Sequence, residues 1–189
     1  MTAIVLSSAE VYTQIIPHEG ARVQRLTDFR SGRELLYQRT APSGPRLDFL
    51  TSSAGGWDAM FPNDTPWEAH PDHGRVWSTV FATVDADPEH AVLHATLDDP
   101  PVEIERRFDL LPVPRRGVRV TTVLGARRET GPFLWACHPM LSVGAGWLVH
   151  VDAKSLEVDA VAPGRFRPGP LPARELGRGL SIPLPGEGW

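Results

Sequence analysis

Strict alternation of charged and apolar residues is the feature that most restricts the fold of this chain. In the segment from Val102 to Leu110, VEIERRFDL, every odd-numbered position is charged and every even-numbered position except Arg106 is apolar. Successive side chains of a β-strand point to opposite faces, so the pattern predicts a strand with one buried face.

Further candidate strands surround this segment and are joined by short turns. The stretch from Pro112 to Gly117 predicts a hairpin connection, and His18 to Gly20 predicts another. Prolines number 19, about twice the average usage of roughly 5%, and they oppose long helices because proline lacks a backbone donor. Short strands between Gly and Pro turns predict an all-β chain, an antiparallel β-sandwich or barrel. The other candidate strands are 11–16, 21–28, 76–84, 91–97, 118–124, 133–137, 147–151 and 156–161.

The chain is expected to form one domain followed by a tail. Its 189 residues suffice for one sizeable core, and no linker divides residues 1–162. Residues 163–189 are dense in proline and glycine, which predicts either a long wrapping segment or a partly disordered tail.

Charge and hydropathy exclude several classes of partner. The net charge of −4 provides no basic stripe for a phosphate backbone, which argues against nucleic acid. No apolar run approaches the roughly 20 residues that span a bilayer, so we expect no membrane segment. The first residues lack the basic flank and apolar region of a signal peptide. A single cysteine, Cys137, excludes an intrachain disulfide, and a reducing cytoplasm is the default expectation.

The histidines include one cluster that resembles a set of metal ligands. His70, Asp72 and His73 offer imidazole and carboxylate groups, which are ordinary ligands of zinc and iron. Their spacing matches no strong metal motif, so we expect neither a catalytic metal nor another cofactor. His90 and His94 share one face of a predicted strand and are expected to be solvated polar positions.

His138 lies at the end of the apolar run Trp135-Ala-Cys137. A histidine that closes a strand can reach into a cleft, where it accepts or donates a proton near pH 7. The alternative is a half-buried imidazole that a backbone carbonyl satisfies. Cys137 is predicted to be a small core residue, because neighbouring strand residues face opposite sides and could not form a thiolate–imidazole pair.

Three of the six tryptophans, Trp57, Trp67 and Trp77, lie close together in sequence beside Asp, His and Arg residues. An indole ring offers a flat apolar face and one N–H donor, which suits the C–H face and hydroxyl rim of a sugar. The alternative is that these tryptophans fill the core.

Four segments follow one another in a characteristic order, namely Gly20 to Asp28 with Ser31 to Leu36, Gly55 to Pro62, Asp72 to Gly74, and Cys137 to Pro139. Together they resemble the galactose mutarotase-like superfamily, which includes the aldose 1-epimerases. The resemblance extends from about residue 11 to about residue 152, and it implies a large antiparallel β-sandwich, the supersandwich of that superfamily. This agrees with the strand pattern.

The resemblance also implies an activity and the residues that perform it. In aldose 1-epimerases a glutamate near the C-terminus takes the anomeric hydroxyl proton while a histidine protonates the ring oxygen. The ring opens and closes on the other face. By motif, His138 would be the general acid and His73 would bind or polarise substrate oxygens. The residues expected to contact the sugar are Trp57, Asp58, Asp72, Arg75, Arg22 and Trp77.

Two departures from the family pattern leave alternatives open. Arg75 stands where many relatives carry an acidic residue, which would favour an anionic sugar or would be a surface substitution. The region that supplies the catalytic glutamate is expected to be missing, and Glu175 and Glu187 are the late carboxylates. The alternatives are therefore an inactive, shortened carbohydrate-binding relative and a structural β-sandwich. A partner protomer or the proline-rich tail would cover the exposed sheet edges.

Overall fold

A computed structural model of the chain describes most of residues 1–144 and several later strands. It divides into two compact units, residues 1–142 and 143–189. No described helix is long and apolar enough to cross a membrane. The residues described are 2–39, 48–49, 55–67, 69–144, 148–151, 157–158, 169–170, 174–176 and 179–183.

The first unit contains an antiparallel sheet of six strands. The strands are β1 (Ile4–Ser7), β2 (Val11–Ile16), β3 (Arg22–Asp28), β4 (Arg33–Glu34), β5 (Trp57–Met60) and β10 (Ala136–Pro139). Their order in the sheet is β1-β2-β3-β5-β10, and β4 pairs with the C-terminal end of β3. The predicted hairpin around His18 to Gly20 is confirmed, because β2 and β3 pair on either side of it.

A second antiparallel sheet in the same unit is a simple meander of four strands in sequence order. The strands are β6 (Ala82–Ala86), β7 (His90–Asp98), β8 (Pro101–Leu110) and β9 (Val118–Ala126). The predicted alternation of buried and exposed side chains in β8 is confirmed, because Val102, Ile104 and Phe108 are buried while Glu103 and Arg107 are exposed.

The core of the first unit is built from both sheets, which makes it a β-sandwich. Leu6 and Ile15 from the first sheet and Leu93, Ile104 and Phe108 from the second belong to one buried cluster. Burying one such side chain stabilises a fold by about 1.5–3 kcal/mol, so this shared cluster is what holds the two sheets together.

Arg106 is the exception to the alternation, and it lies on the buried face of β8 with only 1% of its surface exposed. Its Nη1 atom donates hydrogen bonds to the carbonyl oxygens of Gly20 at 2.7 Å and Ala21 at 3.0 Å. Burial lowers the pKa of Arg106 to about 10, which still leaves the guanidinium charged at neutral pH. The second sheet thus holds the turn from which β3 starts.

The second unit contains two small antiparallel sheets. Part of the segment predicted to be a tail therefore forms strands, while the predicted domain boundary at residue 162 stays a prediction. The strands are β11 (Leu148–Val151), β12 (Glu157–Val158), β13 (Gly169–Pro170), β14 (Arg174–Leu176) and β15 (Gly179–Pro183), in the orders β11-β15-β14 and β12-β13.

Two strand predictions in the first unit are wrong in their bounds. Val76–Ser78 forms a 3₁₀ turn instead of the start of a strand. The hydroxyls of Ser78 and Thr79 both donate to the carbonyl of Arg75, and these local bonds compete with strand pairing. The strand predicted at 133–137 begins only at Ala136, because the amide of Leu134 donates to the carbonyl of Pro62, outside the β5–β10 ladder.

Candidate functional site

A row of three polar residues crosses the first sheet at the candidate site. Asp58 on β5 and His138 on β10 are direct partners in the antiparallel register, so their side chains share one face. Val23 pairs with Trp57, which places Arg22 beside Asp58, and the Arg22 Nε atom lies 3.8 Å from Asp58 Oδ1. We call Arg22, Asp58 and His138 the polar row.

Arg22 is fixed by several partners and is only 3% exposed. Its Nε donates to Glu19 Oε2 at 3.1 Å, its Nη2 contacts the same oxygen, and its Nη1 donates to the carbonyl of Gly55 at 2.8 Å. A Cβ added at Gly56 would lie 3.2 Å from Arg22 Nη1 and 2.5 Å from the Val23 carbonyl oxygen. Glycine is therefore required at position 56, because the backbone there passes too close to β3 for a side chain to fit.

The Asp72-His73-Gly74 turn presents the second histidine in a left-handed conformation. The φ angle of His73 is 61° and that of Gly74 is 65°. A Cβ at Gly74 would lie 2.0 Å from the Phe61 carbonyl oxygen, which leaves room for glycine alone. Left-handed backbone at a residue other than glycine costs on the order of 1 kcal/mol or more, and such strain clusters at functional sites. The position of His73 is thus the result of a turn that the surrounding backbone enforces.

His73 and His138 converge although they lie far apart in sequence. Their ring centroids are 5.6 Å apart and the planes meet at 68°. Asp72 Oδ2 is 2.9 Å from His73 Nδ1, which is within ion-pair range but outside hydrogen-bond geometry. The predicted pair of catalytic histidines therefore shares one location, with a carboxylate against one member.

The surroundings of His138 favour its neutral form. Burial lowers the pKa of His138, and the nearby His73 lowers it further. Its Nδ1 atom is buried and accepts or donates no hydrogen bond among the described residues. For this nitrogen, the alternative of an imidazole satisfied by a backbone carbonyl therefore does not hold within the described part of the chain.

Phe49 joins this cluster and was not anticipated from the sequence. Its ring stacks on His73 with centroids 4.0 Å apart and planes 10° from parallel. It also meets His138 edge-on at 5.4 Å and Trp77 edge-on at 5.6 Å. No spacing or motif links Phe49 to these residues, so only the folded chain shows the contact.

The remaining predicted sugar-contacting residues are less closely associated with the histidine pair. Trp57 packs against the core cluster, and strand alternation places it on the face opposite Asp58. Trp77 is 7% exposed, and its Nε1 donates to the Gly74 carbonyl at 3.0 Å, which secures the turn that carries His73. Arg75 is exposed. For these three residues, contact with a sugar stays a prediction.

Two predictions about single residues, one beside His138 and one on the second sheet, are corrected. Cys137 is exposed and is not a core residue, because β10 is the last strand in the described order of its sheet and Cys137 faces away from His138. His90 is half-buried and its Nδ1 is at hydrogen-bond distance, 2.7 Å, from Asp109 Oδ1 on the adjacent strand, so it is not simply a solvated position.

The described residues include no group of three or more His, Cys, Asp or Glu side chains that could hold a metal ion. His70 instead lies against Trp67, with ring centroids 5.9 Å apart. Of the two late carboxylates, Glu187 lies outside the described residues, and Glu175 is described only as part of β14.

Comparison with solved structures identifies the fold. A galactose mutarotase-like protein from Lactobacillus casei ATCC 334 superposes with a TM-score of 0.69 at 16% identity, over 96% of this chain and 68% of that one. An aldose 1-epimerase candidate from Escherichia coli K12 superposes with a TM-score of 0.59 at 16% identity, over 90% of this chain and 67% of that one. No family model and no curated protein sequence matches the chain. The predicted mutarotase-like antiparallel β-sandwich is confirmed as the fold.

Proposed function

We propose that the protein interconverts the anomers of an aldose or aldose derivative by acid–base ring opening at the His73–His138 pair. The observation that carries this proposal is the convergence of the two imidazoles at 5.6 Å within a mutarotase-like fold. Each histidine belongs to a segment that resembles the aldose 1-epimerases, where the resemblance implies that both act on one sugar, and their proximity supports that expectation.

His138 is the general acid in this proposal. Opening a cyclic hemiacetal requires a proton on the ring oxygen and removal of a proton from the anomeric hydroxyl. Because the pKa of His138 is lowered by burial and by His73, its imidazolium is a strong but sparsely populated acid at neutral pH. A positioned acid of this kind contributes typically 10²–10⁴-fold to a rate.

His73 polarises a substrate oxygen, and the carboxylate of Asp72 supports it. Oδ2 of Asp72 lies 2.9 Å from Nδ1 of His73, so the carboxylate stands against one edge of the imidazole and restricts its orientation. Arg22 is occupied by Glu19 and Gly55, so its role in the site is to hold Asp58 and the Gly55-Gly56 turn in place. Asp58 contributes its carboxylate to the same face of the sheet as His138.

The general base remains to be assigned by experiment among the chain's carboxylates. Asp58 and Asp72 lie near the histidine pair, and Glu175 and Glu187 are the candidates from the late part of the chain. Single Asp→Asn and Glu→Gln substitutions at these four positions preserve size while removing the charge. The base is the position whose neutral variant loses about 10²-fold or more in kcat.

The proposal is tested by following a pure anomer to equilibrium by polarimetry or NMR. Purified protein is expected to accelerate equilibration, and His138→Gln is expected to remove most of that acceleration. His90→Gln is the matched control, because His90 is a half-buried histidine on the second sheet. If equilibration of free, phosphorylated and acidic aldoses proceeds at the spontaneous rate with the wild-type protein, the proposal is wrong.

A second candidate is a carbohydrate-binding protein without turnover. It is favoured by the burial of Asp58, the carboxylate opposite His138, because only 3% of its surface is exposed to a ligand. Calorimetric titration that detects sugar binding to a protein with no effect on anomer exchange would establish this alternative.

A further inference from the structure

Phe49 is a buried aromatic residue of the first unit whose ring contacts both histidines of the pair. Only 3% of its surface is exposed, yet it is not a member of the apolar cluster that joins the two sheets. Its described ring contacts are with His73, His138 and Trp77. The ring contacts described for this buried phenylalanine are all with residues of the candidate site, which indicates a role there.

The geometry of these contacts restricts both imidazoles. The terminal torsion of a histidine side chain is broad and roughly two-fold, so an isolated ring has considerable freedom. A ring stacked at 4.0 Å and 10° from parallel allows His73 to move only within its own plane. The edge contact at 5.4 Å limits the rotation of His138 toward the same space.

We propose that Phe49 is a positioning residue that fixes the relative orientation of His73 and His138 and excludes water from the space between them. The stacked face of His73 is closed to a ligand, so a substrate reaches this imidazole through its edge or its opposite face. The role in catalysis rests on the proposed function, whereas the effect on the two imidazoles does not.

The charged and titratable groups around the pair define what a titration would report. His138 faces His73, which belongs to the turn after β5, and its cross-strand neighbour on β5 is Asp58. His73 has Asp72 against its Nδ1. Removing Phe49 leaves these groups in place, so a changed titration of His138 would come from water entry and ring movement.

The test compares three variants by NMR titration of the histidine ring protons in the full chain. Phe49→Leu keeps an apolar side chain but loses the plane, Phe49→Ala opens the space, and Phe49→Tyr keeps the ring. Phe29→Leu is the control, since Phe29 is 49% exposed and its described ring contact is with Tyr12. The ring-proton signals of His90, in the second sheet, show whether the fold is kept in each variant.

With Phe49→Leu and Phe49→Ala, the pKa of His138 is expected to rise toward its ordinary value. Phe49→Tyr and Phe29→Leu are expected to keep the wild-type curves. If the protein exchanges anomers, Phe49→Leu lowers kcat by about ten-fold or more with a smaller change in KM, because misplacement penalises the reacting geometry.

The outcomes separate this inference from the proposed function. Unchanged titration of His138 in a folded Phe49→Leu protein overturns the inference, whatever the activity. Shifted histidine titration in a protein that never exchanges anomers supports the inference about the imidazoles and refutes the proposed function. If Phe49→Ala does not fold, Phe49→Leu and Phe49→Tyr decide, and failure of all three to fold would assign Phe49 to structure alone.

Discussion

The guanidinium of Arg106 donates a hydrogen bond of 2.7 Å to the carbonyl oxygen of Gly20, 86 residues earlier in the chain. Gly20 has a φ angle of 70° and Ala21 one of 51°, so the held turn is in left-handed conformation. The next residue is Arg22, the first member of the polar row. A buried charge in the second sheet thus supports the site in the first.

Arg106→Ala should destabilise the protein by about 3–5 kcal/mol, because it leaves a cavity and two buried carbonyls without their donor. Arg107→Ala, one residue along the same strand, should change stability by no more than about 0.5 kcal/mol, since that side chain is exposed. Urea denaturation of both variants measures the difference. Equal midpoints for the two would show that Arg106 does not hold the turn.

Gly74→Ala should displace the turn that carries His73. The new Cβ would lie 2.0 Å from the Phe61 carbonyl oxygen, in addition to the strain of a φ angle of 65°. Gly32→Ala has the same strain at a φ of 67° but meets nothing within 4 Å, so it should cost only about 1–2 kcal/mol. Thermal unfolding compares the pair. A Gly74→Ala protein as stable as Gly32→Ala would mean that the turn moves freely.

Much of the fold could be predicted from sequence because the signal was local. Alternation along 102–110 and the hairpin around His18 to Gly20 each depend on neighbouring residues, and both were confirmed. The 3₁₀ turn at Val76–Ser78 could not be predicted in this way, because the apolar pattern there suggests a strand. In the structure, the hydroxyls of Ser78 and Thr79 donate to the carbonyl oxygen of Arg75 instead.

The sequence identified the site residues that belong to recognisable motifs, but not the contacts between them. The two histidines were chosen from resemblance, and their convergence then followed from the register of β5 with β10 and from the turn at Gly74. Phe49 was missed since its contacts join three separate parts of the chain. The burial of Arg106 was visible as a break in the alternation, but its partners Gly20 and Ala21 were not.

Arg75 provides a prediction about substrate charge. Its side chain is exposed and stands directly after Gly74, so its charge is available to attract a phosphate or carboxylate on a sugar. Arg75→Ala should lower kcat/KM for an anionic aldose and leave a neutral aldose unchanged. The difference should shrink as salt increases, because exposed charges are screened. An equal loss for both sugars would indicate that Arg75 acts on the fold of the turn.

The lowered pKa of His138 predicts how stability depends on pH. Below its ordinary pKa of about 6.5, the unfolded chain binds a proton at His138 that the folded chain resists, so stability falls as pH drops through this window. His138→Gln removes this contribution. The wild-type protein should therefore lose more Tm than His138→Gln between pH 7.5 and pH 5, and parallel losses would contradict the lowered pKa.

The same shift predicts the pH dependence of anomer exchange. If His138 donates its proton to the ring oxygen, kcat/KM should fall as pH rises through the lowered pKa, which places the fall below the ordinary pKa of about 6.5. His73→Asn removes the neighbouring charge that contributes to the shift while burial remains. The fall should then move to higher pH, by less than the full distance to the ordinary value. A fall that keeps its position in His73→Asn would show that His73 does not contribute to the shift. A fall that persists in His138→Gln would show that it belongs to a group other than His138.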